Sequence, residues 1–154
     1  MDMAAERKTY KIGEVARMLD IAVETIRMYE HNDILLTEKT ERGQRIFDEN
    51  DVEWINCIRR LIKNQGLNME GIRRLLSLIP CWEVKSCSEI DRENCLAYQK
   101  AILPCWAIKD KTSACSNENC RVCNVYLNAL RCQNLKKVLY GQEKWKNKLE
   151  TIGN

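Results

Sequence analysis

The chain has 154 residues, 45% of them hydrophobic and 31% charged, with a formal net charge of +3. That length suits one domain with an appendage or two small domains. It contains no apolar run of the roughly 18 residues that a membrane-spanning helix needs, so no membrane partner is expected. Residues 1–79 carry 13 Lys+Arg against 14 Asp+Glu. Nucleic acid held by bulk charge alone is thereby excluded, and any such reading rests on where particular arginines sit.

The first residues, Met1 to Lys8, lack the apolar stretch of a signal peptide, which points to a cytoplasmic protein. Ile12, Val15, Ala16 and Leu19 follow the period of an amphipathic helix. Asp20-Ile21-Ala22 interrupts it, and a second short helix is expected from about Val23 to Asn32, with Val23, Ile26 and Tyr29 inward. Two short helices about a tight turn make a helix-turn-helix, whose second helix enters a major groove. Leu35-Leu36-Thr37 and Arg45-Ile46-Phe47 flank a polar loop containing Gly43, which reads as a β-hairpin wing.

Asp48 and Asn50 are N-cap candidates for a third helix with Val52, Ile55, Ile58 and Ile62 on one face, ended by Gly66. Asn68 caps a fourth, carrying Ile72, Leu75, Leu76 and Ile79, and Pro80 stops it. No helical period persists from Pro80 to Asn124. The pattern returns from Val125 to about Glu150, a long helix with a basic end at Lys144, Lys146 and Lys148.

The chain holds nine cysteines, seven of them between residues 81 and 123. These are Cys81, Cys87, Cys95, Cys105, Cys115, Cys120 and Cys123, and Cys120-Arg121-Val122-Cys123 is the one regular metal knuckle. Pro80-Cys81-Trp82 and Pro104-Cys105-Trp106 echo each other as a degenerate internal duplication. In a reducing compartment such a cluster is expected to hold metal rather than form disulfides. The only histidine, His31, lies outside the segment, so ligation would be all-sulfur, with zinc or an iron–sulfur cluster as the cofactor. A zinc that only holds the segment together and reversible thiol oxidation remain open beside a sensing site. The tryptophans would wall the site or simply pack. Cys57 and Cys132 have helical neighbours and read as small buried apolar groups. No phosphate-binding loop, nucleophilic triad or paired carboxylates appear, so no catalytic residues are assigned. A metal-trafficking or thiol-redox protein is the competing class.

The order of parts over residues 9–79 resembles the winged-helix DNA-binding domain of the MerR family of bacterial transcription regulators. The resemblance is carried by Tyr10 to Ala16, Glu24-Thr25-Ile26-Arg27-Met28-Tyr29-Glu30, Arg42 to Phe47, Asp51-Val52 and Gly66-Leu67. It implies a homodimer on promoter DNA, a C-terminal helix pairing with its mate, and regulation by deforming the duplex, with RNA polymerase a candidate partner. By position it places Thr25, Arg27 and Tyr29 on the recognition helix, and Arg42, Gln44 and Arg45 on the wing. A guanidinium forks onto phosphate or guanine, and hydroxyls donate to phosphate. Three positions depart from the pattern: Asp33, where the family has Gly, and Gln44 and Phe47, where it has aromatic residues, usually Tyr. The paired Cys-Trp phrases also resemble a small cysteine-rich module of bacterial signalling chains. The expected architecture is therefore mainly α. It comprises a winged helix-turn-helix at 9–79, a cysteine-rich metal- or cluster-binding segment at 80–124, and a dimerisation helix at 125–150.

Overall fold

A computed structural model describes residues 6–85, 87–100, 102–108, 115, 117 and 119–129. It divides into two compact units, Met1–Met69 and Glu70–Asn154.

In the first unit, β1 (Tyr10–Lys11) leads into α1 (Ile12–Leu19). The Glu14 carboxylate accepts the Lys11 N–H at 2.7 Å and closes the first turn of that helix. Asp20 then takes a left-handed conformation (φ 52°), and the Ile21 N–H bonds back to the Ala16 carbonyl at 3.0 Å. The chain reverses into α2 (Val23–His31). Asp33 follows with φ 62°. The position where a glycine was expected thus does need a left-handed residue, and aspartate, whose short polar side chain tolerates that region, supplies it.

β2 (Glu38–Lys39) and β3 (Arg45–Phe47) form the wing. The sheet runs in the order β1-β3-β2, all antiparallel, with Tyr10 opposite Phe47 and Glu38 opposite Ile46. At the tip, Gly43 has φ 79° and donates its N–H to the Thr40 carbonyl at 2.8 Å. The first wing strand lies at 38–39 rather than at the apolar 35–37. Ile34 and Leu35 are instead buried in the connecting loop, where the Trp54 indole N–H donates to the Ile34 carbonyl at 2.8 Å.

α3 (Glu49–Lys63) starts on a reciprocal cap. Asp48 accepts from the Asp51 N–H at 3.0 Å, and Asp51 accepts from the Asp48 N–H at 2.9 Å. Its buried face is Trp54, Ile55, Cys57, Ile58 and Leu61, with Val52 and Ile62 only half-buried. Together with Val15, Ile26, Ile34 and Phe47 these make the core of the unit, each large apolar side chain contributing about 1.5–3 kcal/mol by burial.

The second unit begins within α4 (Met69–Ser77), where Glu70 accepts from Arg73 and, at 3.1 Å, from Arg74. Short helices then follow where no period was expected: α5 (Cys81–Val84), α6 (Glu89–Glu93), α7 (Leu96–Gln99) and α8 (Asn124–Ala129). Two 3-10 turns lie at Cys105–Ala107 and Cys120–Val122. α5 packs against α8, and Trp106, Val125, Tyr126 and Ala129 are buried. The helix expected over 125–150 is described only to Ala129; the remainder, with Cys132, lies outside the described residues. Cys57 corrects an expectation. It is buried, as anticipated for a small apolar group, but it is disulfide-bonded.

Candidate nucleic-acid interface

Nine residues of α2 give two full faces. Ile26 and Tyr29 turn into the core, while Glu24, Arg27, Met28 and His31 are exposed one turn apart, as positions three and four residues distant on a helix must be. The Arg27 guanidinium stands 3.5 Å from the Glu24 carboxylate, with both side chains more than half exposed (54% and 79%). A pair that long and that wet contributes a few tenths of a kcal/mol at most, so it does not hold Arg27 away from a ligand. Thr25 is half-buried at the edge of the same helix.

Arg42 and Gln44 are exposed at the wing tip. The turn that presents them is closed by the Thr40 N–H, which donates to the Gln44 carbonyl at 2.9 Å, and by the Thr40 hydroxyl, which accepts the Gln44 N–H at 3.1 Å.

Arg45 and Tyr29 have surroundings different from those expected of phosphate donors. The Arg45 guanidinium donates twice to Glu30, from Nε at 2.5 Å and from the outer nitrogen at 3.2 Å. This fork ties strand β3 to helix α2 across 15 residues of sequence. Burial alone would raise the Glu30 carboxyl; the hydrogen bonds from Arg45 and Thr37 and the charges of Arg45 and Lys39 together outweigh it and hold the group below the ordinary carboxylate range. Tyr29 is 3% exposed, and burial pushes its phenol up while the nearby Arg59 charge opposes. Glu30 was the residue that sequence reasoning missed. It is the last member of the Thr-Ile-Arg-x-Tyr-Glu phrase, which offered a position but not a partner.

The cysteines of the second unit occupy matching places. Cys81 and Cys105 each follow a proline and open a short helical turn. Cys95 and Cys123 each immediately precede a helix whose third residue is a tyrosine, Tyr98 or Tyr126. Within each half the tryptophan meets that tyrosine edge to face: Trp82 and Tyr98 at 4.9 Å between ring centroids, Trp106 and Tyr126 at 5.1 Å. The echo in sequence is therefore an echo in structure, and the tryptophans pack on tyrosines.

All seven cysteines expected as ligands are half-buried and none is in a disulfide. The Cys87 thiol is pushed up, first by burial and then by Cys81, Asp91 and Cys95, with Arg92 opposing. The donor chemistry suits zinc or an iron–sulfur cluster. The arrangement does not complete a site: among the described residues, no three His, Cys, Asp or Glu side chains are grouped to hold one metal ion. The expected ligands Cys81, Cys87, Cys95, Cys105, Cys115, Cys120 and Cys123 come from separate short segments, and Cys81 and Cys95 lie near enough to Cys87 for their charges to bear on it.

A family model described as MerR HTH family regulatory protein matches residues 10–79. The chain is 37% identical over 81 residues to the HTH-type transcriptional regulator ZntR of Escherichia coli strain K12, a match covering 52% of this chain and 57% of that protein. It is 34% identical over 67 residues to the HTH-type transcriptional regulator GlnR of Bacillus cereus, covering 44% and 51%. To the nodulation protein NolA of Bradyrhizobium elkanii it is 32% identical over 71 residues, covering 46% and 32%. The chain spans about half the length of the two regulators and a third of the third relative. No solved structure matches.

Proposed function

Residues 10–79 are a MerR-family helix-turn-helix domain, and from that premise we propose that the chain is a promoter-binding transcription regulator controlled through its cysteine-rich unit. The observation that supports it best is the pairing of two surfaces. An open α2 face carrying Arg27 stands beside a wing fastened to the same helix by the Glu30–Arg45 fork. In this reading α2 enters a major groove, Arg27 forks onto a base edge or phosphate, and Arg42 and Gln44 reach neighbouring phosphates from the wing tip. The fork makes helix and wing engage together, so Arg45 acts by positioning the wing.

The protein works as a homodimer on a two-fold site and acts on the promoter, and so on RNA polymerase, by distorting the duplex. The signal is a soft metal ion, an iron–sulfur cluster or oxidation of thiols in the second unit. Seven cysteines outside any disulfide supply the donors, and a bound metal would contribute charge neutralisation and a constraint on the short helices that carry them. The two states need differ in DNA affinity by only about 1–3 kcal/mol, or roughly 5–150-fold.

The test is anaerobic purification with metal and sulfide analysis, followed by duplex binding and in vitro transcription before and after chelation or peroxide treatment. A shift in affinity or transcription on removing or oxidising the site supports sensing. A colourless zinc protein with unchanged affinity and transcription would leave the thiols a structural role. Failure of every form to bind a duplex would remove the regulator reading itself.

A further inference from the structure

The second unit repeats itself in three dimensions, and the repeat divides its sulfurs unequally. Each half begins with a cysteine after a proline, Cys81 or Cys105, and ends with a cysteine at the head of a helix, Cys95 or Cys123. The aromatic couples that join these ends share one geometry, with ring centroids 4.9 and 5.1 Å apart and interplanar angles of 84° and 85°. A single ring contact thus brings together the two segments that carry the terminal sulfurs of each half. Between those ends the first half holds one further cysteine, Cys87, and the second holds two, Cys115 and Cys120. Seven sulfurs, too many for one four-ligand site and too few for two, part as three and four.

The halves also differ in what stands ready. Cys120 and Cys123 bracket a 3-10 turn closed by the Cys123 N–H on the Cys120 carbonyl at 3.2 Å, a spacing that lets two thiolates share one ion. In the first half α6 stands between Cys87 and Cys95, yet the charges of Cys81 and Cys95 still bear on Cys87. Asp91 bears on it too, but its carboxylate is engaged in the cap of α6, accepting the Ser88 hydroxyl at 2.8 Å. Three sulfurs remain there, one short of a tetrahedral set. The Arg92 charge also reaches Cys87, and the Arg92 Nε is buried without a hydrogen-bond partner. A buried guanidinium N–H in that state suits an anionic donor arriving from outside to fill the fourth place.

We propose that the second unit carries two sites for thiophilic divalent cations: a closed four-sulfur site of Cys105, Cys115, Cys120 and Cys123, and an open three-sulfur site of Cys81, Cys87 and Cys95 whose fourth place takes a small anionic donor beside Arg92. The inference rests on the reading of this unit as metal-responsive, and it assigns the response to one half. Closed sets of four thiolates hold structural zinc, whereas three protein ligands leave a position for exchange. The open site holds its ion at least roughly tenfold more weakly, because lacking a ligand costs no less than losing a ligand's outer hydrogen-bond partner. Among the described residues no three donors surround one point, so loading draws the sulfurs inward as each gives up its proton. α5, which opens with Cys81, packs against α8, which follows Cys123, so a shift in the open half presses on the closed one.

The experiment uses the full chain, purified without oxygen and stripped of metal, then titrated with Zn(II) and with Co(II) as a spectroscopic probe. Two ions should bind per chain, both with sulfur-to-cobalt charge-transfer absorption, and a chelator should withdraw one well before the other. Cys87→Ser should abolish the readily withdrawn ion and keep the resistant one, and Cys120→Ser should do the reverse. β-Mercaptoethanol should shift the cobalt bands of the readily withdrawn ion alone, and Arg92→Met should blunt that shift with both ions still bound. Wild-type stoichiometry and release rates decide the division even where a serine variant does not fold. One ion per chain, two ions released at a single rate, or a cluster ligated from both halves would overturn the division; metal-dependent duplex affinity in the same sample would keep the sensing reading. A wild-type chain that takes up neither ion and assembles no cluster would remove both.

Discussion

Breaking the Glu30–Arg45 fork should loosen the wing and weaken the first unit in a pH-dependent way. Two charges about 4 Å apart, at an effective dielectric of about 20, attract by about 4 kcal/mol. Both side chains keep some contact with water (22% and 31% exposed), so desolvation and side-chain entropy offset most of that. The bidentate geometry leaves a net coupling of about 1–1.5 kcal/mol, above a typical surface pair and well below a fully buried one. The measurement is a double-mutant cycle of Glu30→Gln and Arg45→Met, by urea unfolding followed at the Trp54 indole resonance.

The sign with pH follows from the lowered Glu30 carboxyl. The stabilisation is fully present above its ordinary value of 4.5 and is lost as pH falls through the lower folded value. A coupling near 1 kcal/mol at neutral pH that vanishes once pH has fallen through the lowered Glu30 value is the expected outcome. A coupling below about 0.3 kcal/mol at all pH values would refute the strut, because the bonds would then be no better than solvated contacts.

Arg27→Met should reduce duplex affinity by about 5–150-fold, about 1–3 kcal/mol for a lost fork, while leaving the urea midpoint within error; binding and unfolding curves of the same variant check it. Trp54→Phe removes the donor to the Ile34 carbonyl inside the core and should cost about 1–3 kcal/mol, read as a lower midpoint without a change of slope. Asp48→Ala removes half of the reciprocal cap and should cost about 1–2 kcal/mol, seen as earlier amide exchange in the first turn of α3.

Helices α1 to α4 were legible because each carries its own period and its own stop: Asp20, Gly66 and Pro80 mark ends, and Asp48 marks a start. What escaped was held by partners distant in the chain. β1 is two residues long, and nothing in Tyr10-Lys11 announces pairing with Phe47 and Ile46. Leu35 and Leu36 have strand composition, yet the loop sinks Leu35 because Trp54 holds the carbonyl before it. Arg45 was legible as a wing residue, but its engagement by Glu30 is a tertiary fact. The inward turn of Tyr29 was legible from the helical period, whereas the Arg59 charge near its phenol comes from another helix. Helices α5 to α8, four to six residues long, are too short for a period to show. Cysteine spacing identified the thiol chemistry; convergence depends on turns that spacing does not specify.

The two edge-to-face ring couples have an optical consequence. Each indole sits beside one sulfur and each phenol three residues beyond another, so shifting any of Cys81, Cys95, Cys105 or Cys123 must tilt a chromophore against its neighbour. Near-ultraviolet dichroism should therefore register events at sulfur in either half without a label, and replacing Tyr98 or Tyr126 by leucine would silence one half at a time.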